Sequence, residues 1–195
     1  MARPQVYDDA LRTGLIGVAT EQLADGGADS LSLRRVAGAA GTSTNAIYTL
    51  FGGKNELIEA AVVDALSSFA AAQESAPLSD DPLVDLRSLS DAYRRWAIQR
   101  PALYAVIFGG RLGQPVETGR TIQAGERALA PLVARVARAV DAGMLRPEDP
   151  ELIARAIWAA VHGAVSLESQ GLADESLYRA VEAALLRGWA PDPPQ

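Results

Sequence analysis

An all-α fold is predicted for this chain of 195 residues. Alanine, leucine and arginine dominate, apolar residues recur at three- and four-residue spacing without strand-like alternation, and Gly/Pro clusters fall where joints between helices would lie. The length suits one domain or two small ones and buries a core without staples. Cysteine is absent, which excludes disulfides, thiolate metal sites and cysteine nucleophiles. With one histidine, His162, a two-histidine zinc or iron site within one chain is excluded, and a Ser-His-Asp triad stays only formally open. No metal or cofactor is expected. The net charge of -6 rules out a chain that is polybasic as a whole, so any attraction to nucleic acid has to be local.

Residues 1–26 are interrupted by Asp8, Asp9, Arg12 and Glu21 before an apolar run develops, so no targeting segment is read and a cytoplasmic location is expected. The richest apolar stretch, residues 156–167, is broken by His162 and Ser166 and falls short of the roughly 18 residues of a membrane helix. The first helix is expected from about Asp8 to Ala24, with Leu11, Leu15, Val18, Ala19 and Leu23 on one face, acidic residues at its positive end, and Gly26 and Gly27 as its stop. Ser32 opens a second, short helix, flanked by Leu31 and Val36 as a hydrophobic staple. It reaches Ala39 or Ala40 before Gly41, and Ser43 starts the next, so two brief helices are joined by a turn of about three residues. That is a helix-turn-helix pattern.

After Gly52 and Gly53, a longer helix runs from Lys54 to about Ala72, burying Leu57, Ile58, Ala61, Val62, Ala65, Leu66 and Phe69. Residues 73–82 read as a loop and domain boundary. This divides the chain into residues 1–53, continued by a linking helix over 54–72, and a second helical bundle over 73–195. In the bundle, helices open with proline at Pro82 and Pro101. A long helix spans about Thr118 to Ala142, kinked or broken at Pro131 and ended by Gly143. Two more, from Pro150 to about Ser169 and from Glu175 to Trp189, have wide apolar faces and precede a proline-rich tail from Ala190.

The window from Ser30 to Asn55 holds no acidic residue, while Arg34, Arg35 and Lys54 give it a charge of +3. Phosphates need cations and small hydroxyl donors, and the window supplies Ser32, Thr42, Ser43, Thr44, Tyr48 and Thr49 beside the bases. On the second short helix, Thr44, Asn45 and Thr49 face away from Ile47 and Leu50. Asparagine can bond an adenine edge, and threonine offers a hydroxyl and a methyl to thymine. The plain alternative is an ordinary bundle with Arg34 and Lys54 merely solvated, but spacing, caps, charge and polar face agree against it.

Over residues 10–62 the chain resembles the TetR family of one-component transcriptional regulators. Ser32-Leu33-Arg34-Arg35-Val36-Ala37 is similar to the family's first turn-flanking helix. Gly41-Thr42-Ser43, followed by Ile47-Tyr48, Phe51, Lys54 and Leu57, is similar to its recognition helix and the start of its fourth. Thr42, Asn45 and Leu50 depart from the residues the family prefers there. The resemblance implies phosphate contacts from Ser32, Arg34, Tyr48 and Lys54, and base or near-base contacts from Thr44, Asn45 and Thr49. Ser43 joins them as a hydroxyl donor at the helix start. Trp158-Ala-Ala-Val-His162-Gly163 resembles a Trp-His-Gly signature of one C-terminal subgroup. What the family then implies is a repressor that pairs two subunits on a palindromic double-stranded operator and is released by a small-molecule effector.

Tyr93, Trp96, Tyr104, Phe108, Trp158 and His162 are the candidate effector-pocket residues, pointing to an apolar or aromatic ligand, although aromatics at helical spacing are as often plain core. Small residues at Ala156, Ala160, Gly163 and Ala164 mark the last two helices as the expected homodimer surface. A competing reading is a helical small-molecule binding protein or small enzyme whose DNA-binding module no longer functions; it predicts ligand binding without salt-dependent DNA binding.

Overall fold

A computed structural model describes residues 9–110, 112–113 and 116–191. Its described residues form nine α-helices and no strand: α1 (Asp9–Ser30), α2 (Leu33–Ala39), α3 (Thr44–Phe51), α4 (Lys54–Glu74), α5 (Pro82–Gln99), α6 (Pro101–Phe108), α7 (Gly119–Asp141), α8 (Pro150–Ser169) and α9 (Glu175–Gly188). The all-α expectation holds. Asp8 and residues 192–195 of the expected tail lie outside the described residues.

Packing divides the chain into two units, neither of them a contiguous stretch. The first is Met1–Ser68 with Arg100–Gly125, and the second is Phe69–Gln99 with Glu126–Gln195. In the first unit, Leu15, Ile16, Ala19 and Leu23 of α1 form one core with Val36 of α2, Ile47 of α3, Leu57, Ala61 and Ala65 of α4, and Val106 of α6. Helix α6 lies against α1, α1 against α2, and α2 against α3. The short α2 and α3 gain little stability as isolated helices and are held by this shared core.

Two sequence expectations change. The first helix does not stop at Gly26 and Gly27: Gly27 takes φ 72°, ψ -171°, and a last turn continues to Ser30. The hydroxyl of Ser30 donates to the Gln22 and Gly27 carbonyls at 3.1 and 2.9 Å, and the Gln22 side chain accepts the Ser32 amide at 3.3 Å, so the break is bridged by side chains. Pro131 does not break α7, which runs as one element to Asp141. Arg127, whose carbonyl Pro131 leaves without its helical donor, is exposed, where water can replace the missing bond.

The second unit builds its core from Leu86, Leu89, Tyr93 and Trp96 of α5, Leu132 and Val136 of α7, Ile153, Ile157, Val161 and Val165 of α8, and Tyr178 of α9. A polar staple fixes its loop before α5. The Arg135 guanidinium, buried, donates to the backbone oxygens of Ala76 (2.7 Å), Pro77 (3.3 Å) and Asp85 (2.7 Å). The carboxylate of Asp85 accepts the Ser79 amide at 2.7 Å and hydroxyl at 2.8 Å and pairs with Arg138. Burial raises the Asp85 pKa, but the Ser79 hydrogen bonds and the charges of Arg138 and Arg135 bring it to a net position below the ordinary value.

Candidate nucleic-acid interface

The interface is assembled by two helix starts and one turn. Ser32 caps α2 with extended backbone, its side chain accepting the Arg35 amide at 3.4 Å. At the other end of α2 the amide of Thr42 donates to the Ala37 carbonyl (2.9 Å) and that of Gly41 to the Gly38 carbonyl (3.2 Å). With Gly41 at φ 67°, these are the two bonds of a Schellman stop. The chain is thereby turned sharply into Ser43, the N-cap of α3. Ser43 is exposed and makes no side-chain cap bond, so its hydroxyl is open to an outside acceptor.

Helix α3 buries Ala46 and Ile47 and exposes Asn45, Tyr48 and Thr49, with Thr44 half-buried. Tyr48 is 57% exposed, and its ring edge lies beside Gly53, the residue before Lys54. Leu50 and Phe51 pack onto the core of the unit, and the Arg12 guanidinium sits 5.1 Å from the centre of the Phe51 ring. The hydroxyl of Thr49 donates to the Asn45 carbonyl at 2.9 Å. Its one proton is therefore spent on the helix, so towards a base edge Thr49 keeps its methyl and the hydroxyl oxygen only as an acceptor.

Arg34 and Arg35 are exposed and Lys54 is half-buried. They are not equivalent. The guanidinium of Arg35 donates to the Ser30 carbonyl and so caps the end of α1, whereas neither Arg34 nor Lys54 has an acidic partner among the described residues. A stretch with cations, exposed hydroxyls and no carboxylate between Ser30 and Asn55 is what a phosphate backbone needs.

The six candidate pocket residues are divided between the units. In the second unit Tyr93, Trp158 and His162 come together: the Tyr93 hydroxyl lies 2.8 Å from His162 Nδ1, and the imidazole stacks on Trp158 at 5.6 Å. Phe69 bridges Tyr93 and Trp96 at ring distances of 5.2 and 4.9 Å. Burial pushes the His162 pKa below its ordinary value. The cavity at Tyr93 and Trp158 has a volume of about 20 Å³, room for a single water beside the buried, unpartnered Oε1 of Gln73. Tyr104 and Phe108, 5.2 Å apart, belong to the first unit. A cavity of about 350 Å³ also lies in the first unit and is lined by none of the six. Sequence reasoning missed it because its walls come from three separate helices.

A three-helix helix-turn-helix module with an exposed polar recognition face, carried on a helical body, defines a DNA-binding transcriptional regulator. Residues 15–61 match the family model described as bacterial regulatory proteins of the tetR family, and residues 86–187 match the tetracyclin repressor-like C-terminal domain. The chain belongs to the TetR family. It is similar to the HTH-type transcriptional regulator Rv1816 of Mycobacterium tuberculosis, with 26% identity across 84% of this chain and 82% of the relative. Among solved structures it resembles a protein of unknown function from Rhodococcus (TM-score 0.81, 27% identity, 97% of this chain and 100% of the other). It also resembles the TetR family transcriptional regulator PfmR from Thermus thermophilus (TM-score 0.73, 26% identity, 89% and 97%). No helix among the described residues is long and apolar enough to cross a membrane.

Proposed function

We propose that the protein is a cytoplasmic repressor that binds a palindromic operator as a homodimer and is released by a small-molecule effector, without catalysing a reaction. The observation that carries this is the exposed face of α3 beside unpaired Arg34 and Lys54, in a window empty of acidic residues. Residues 1–53 form the reading module and α4 carries it into the rest of the chain. Ser32, Arg34, Ser43, Tyr48 and Lys54 hold phosphates, and Thr44, Asn45 and Thr49 face base edges. The two recognition helices enter successive major grooves about 34 to 36 Å apart.

Dimerisation runs through α8 and α9. Of the small residues expected there, Ala164 is buried within its own unit and Ala156, Ala160 and Gly163 are half-buried; the exposed apolar residues of the two helices are Leu152, Leu167 and Leu177, together with Ala159, Ala180 and Ala184. A two-fold axis through it would bring the same patch of both subunits together. Effector binding favours a dimer whose module spacing no longer matches the grooves, so effector and DNA oppose each other through one coupling free energy.

The test is selection of sites from a random duplex library, followed by titration of the selected site at several salt concentrations. A palindrome whose affinity falls steeply with salt is expected. Lys54→Ala in both subunits should flatten the salt slope by about 2, since each lost phosphate contact removes about 0.9. Tyr48→Ala should weaken binding to all selected sites alike. A folded dimer that enriches no duplex would refute the regulator and leave the small-molecule binder in its place.

A further inference from the structure

The window that holds no acid in the sequence gains one in space. Glu56, the first carboxylate after Asn55, stands at the third position of α4, from which a glutamate reaches back toward the amide ahead of the helix. Its side chain folds over the turn between α3 and α4. A Cβ added at Gly53 would lie 3.1 Å from Glu56 Oε2, and one added at Gly52 would lie 3.6 Å from Glu56 Cγ and 3.9 Å from Oε2. The same point at Gly53 is 3.9 Å from Cε1 of Tyr48. The carboxylate and the tyrosine ring edge are thus neighbours across a buried glycine, and Lys54 is the next residue of the chain.

Glu56 is exposed and has no ion-pair partner among the described residues, so its charge is not neutralised by Lys54 or Arg34. We infer that Glu56 is an electrostatic brake on DNA binding: its carboxylate opposes the phosphate that Tyr48 and Lys54 hold and so limits affinity for every duplex, an assignment that rests on the DNA-binding reading above. A phosphate within reach of the Tyr48 hydroxyl and the Lys54 ammonium comes inside one screening length of this carboxylate, about 10 Å at 0.1 M salt. Two like unit charges about 7 Å apart in near-aqueous surroundings repel enough to weaken binding about two- to threefold, and two half-sites multiply this to about fivefold.

The repulsion acts on the phosphate backbone, which is the same in every sequence. It therefore weakens selected and unselected duplexes by one factor and leaves base preference to Thr44, Asn45 and Thr49. A bound state kept shallow in this way is emptied by an effector coupling of ordinary size, about 5- to 150-fold.

Fluorescence anisotropy of the full-length protein with the selected duplex and with a scrambled duplex of the same length, at about 0.1 and about 0.3 M salt, compares the parent with Glu56→Gln and Asp64→Asn. Asp64 is an exposed acid of α4 whose loss changes the net charge equally, eight residues or about 12 Å of helix rise further on. Glu56→Gln should tighten both duplexes about fivefold at the lower salt and less at the higher, where the repulsion is screened. It should also lower the melting midpoint by up to about 4 °C, because the start of α4 loses a favourable charge. Tighter binding from a less stable protein is a pairing that a purely structural glutamate does not produce. Asp64→Asn should leave both affinities within about twofold of the parent. Unchanged or weaker binding by Glu56→Gln, an equal gain from Asp64→Asn, or a gain confined to the selected duplex, which would make the carboxylate a base reader, would each overturn the inference. If neither the parent nor Glu56→Gln binds any duplex, the regulator reading falls and the brake with it.

Discussion

Two glycines three residues apart in the helix-turn-helix should respond to alanine with opposite signs. Gly38 is an exposed helical residue of α2 and Gly41 occupies the left-handed position that ends it, at φ 67°. At neither would an added Cβ meet a heavy atom within 4 Å, so neither clash nor filled space enters the comparison. Gly41→Ala places an L side chain in the left-handed region, at a cost of roughly 1 to 2 kcal/mol. Gly38→Ala removes backbone freedom from the unfolded chain and should stabilise by roughly 0.5 to 1 kcal/mol. The two variants should thus be separated by about 1.5 to 3 kcal/mol, with Gly41→Ala below the parent and Gly38→Ala above it. Urea unfolding followed by far-ultraviolet circular dichroism, at one protein concentration so that the association state is held constant, measures this as midpoint shifts at unchanged slope. A neutral Gly41→Ala, or a destabilising Gly38→Ala, would refute the assignment of the turn to the Schellman geometry.

Further outcomes follow from the same geometry. With its hydroxyl proton committed to Asn45 and thymine offering only the O4 acceptor and a methyl, Thr49 can read thymine only through its methyl; replacing a facing thymine by deoxyuridine should cost about 0.8 kcal/mol per half-site, some fifteenfold over two. Thr49→Ser should erase that sensitivity, and a serine variant as sensitive as the parent would refute methyl readout. Because burial lowers the His162 pKa, the folded state favours the neutral ring. Its contribution to stability is complete above the unfolded value of about 6.5 and is lost as pH falls from there to the lowered folded value. Unfolding midpoints between pH 8 and pH 5 should show this loss, and His162→Gln should remove that part of the slope.

What was legible in the sequence was local. Ser32 announces a helix start, Gly41 a stop, and the acid-free window a surface of exposed cations and hydroxyls, because caps, turn residues and charge act within a few positions. The continuation past Gly27 depends on Gln22 and Ser30, whose side chains bridge the break by bonds that spacing alone does not suggest. The grip of Arg135 and Arg138 on Ala76, Ser79 and Asp85 joins residues fifty or more positions apart and has no linear signature. The division of the aromatics has the same origin: α6 packs on α1, which makes Tyr104 and Phe108 part of the first unit, while Tyr93 and Trp158 belong to the second.

The interleaved make-up of the packing units bears on how such regulators can be recombined. A fragment ending in the loop after α4 carries every residue of the reading module, yet lacks Val106 and the rest of α6 that covers α1. It would expose the apolar face around Leu15, Leu23 and Val62 to water and be prone to aggregate rather than bind DNA. A hybrid that exchanges only the N-terminal segment would graft one protein's α1 onto another's α6, with two surfaces that never packed together. Hybrids that transplant residues 100–125 along with the N-terminal segment keep that core intact, which makes α6 the segment whose parentage decides whether a recombined protein folds.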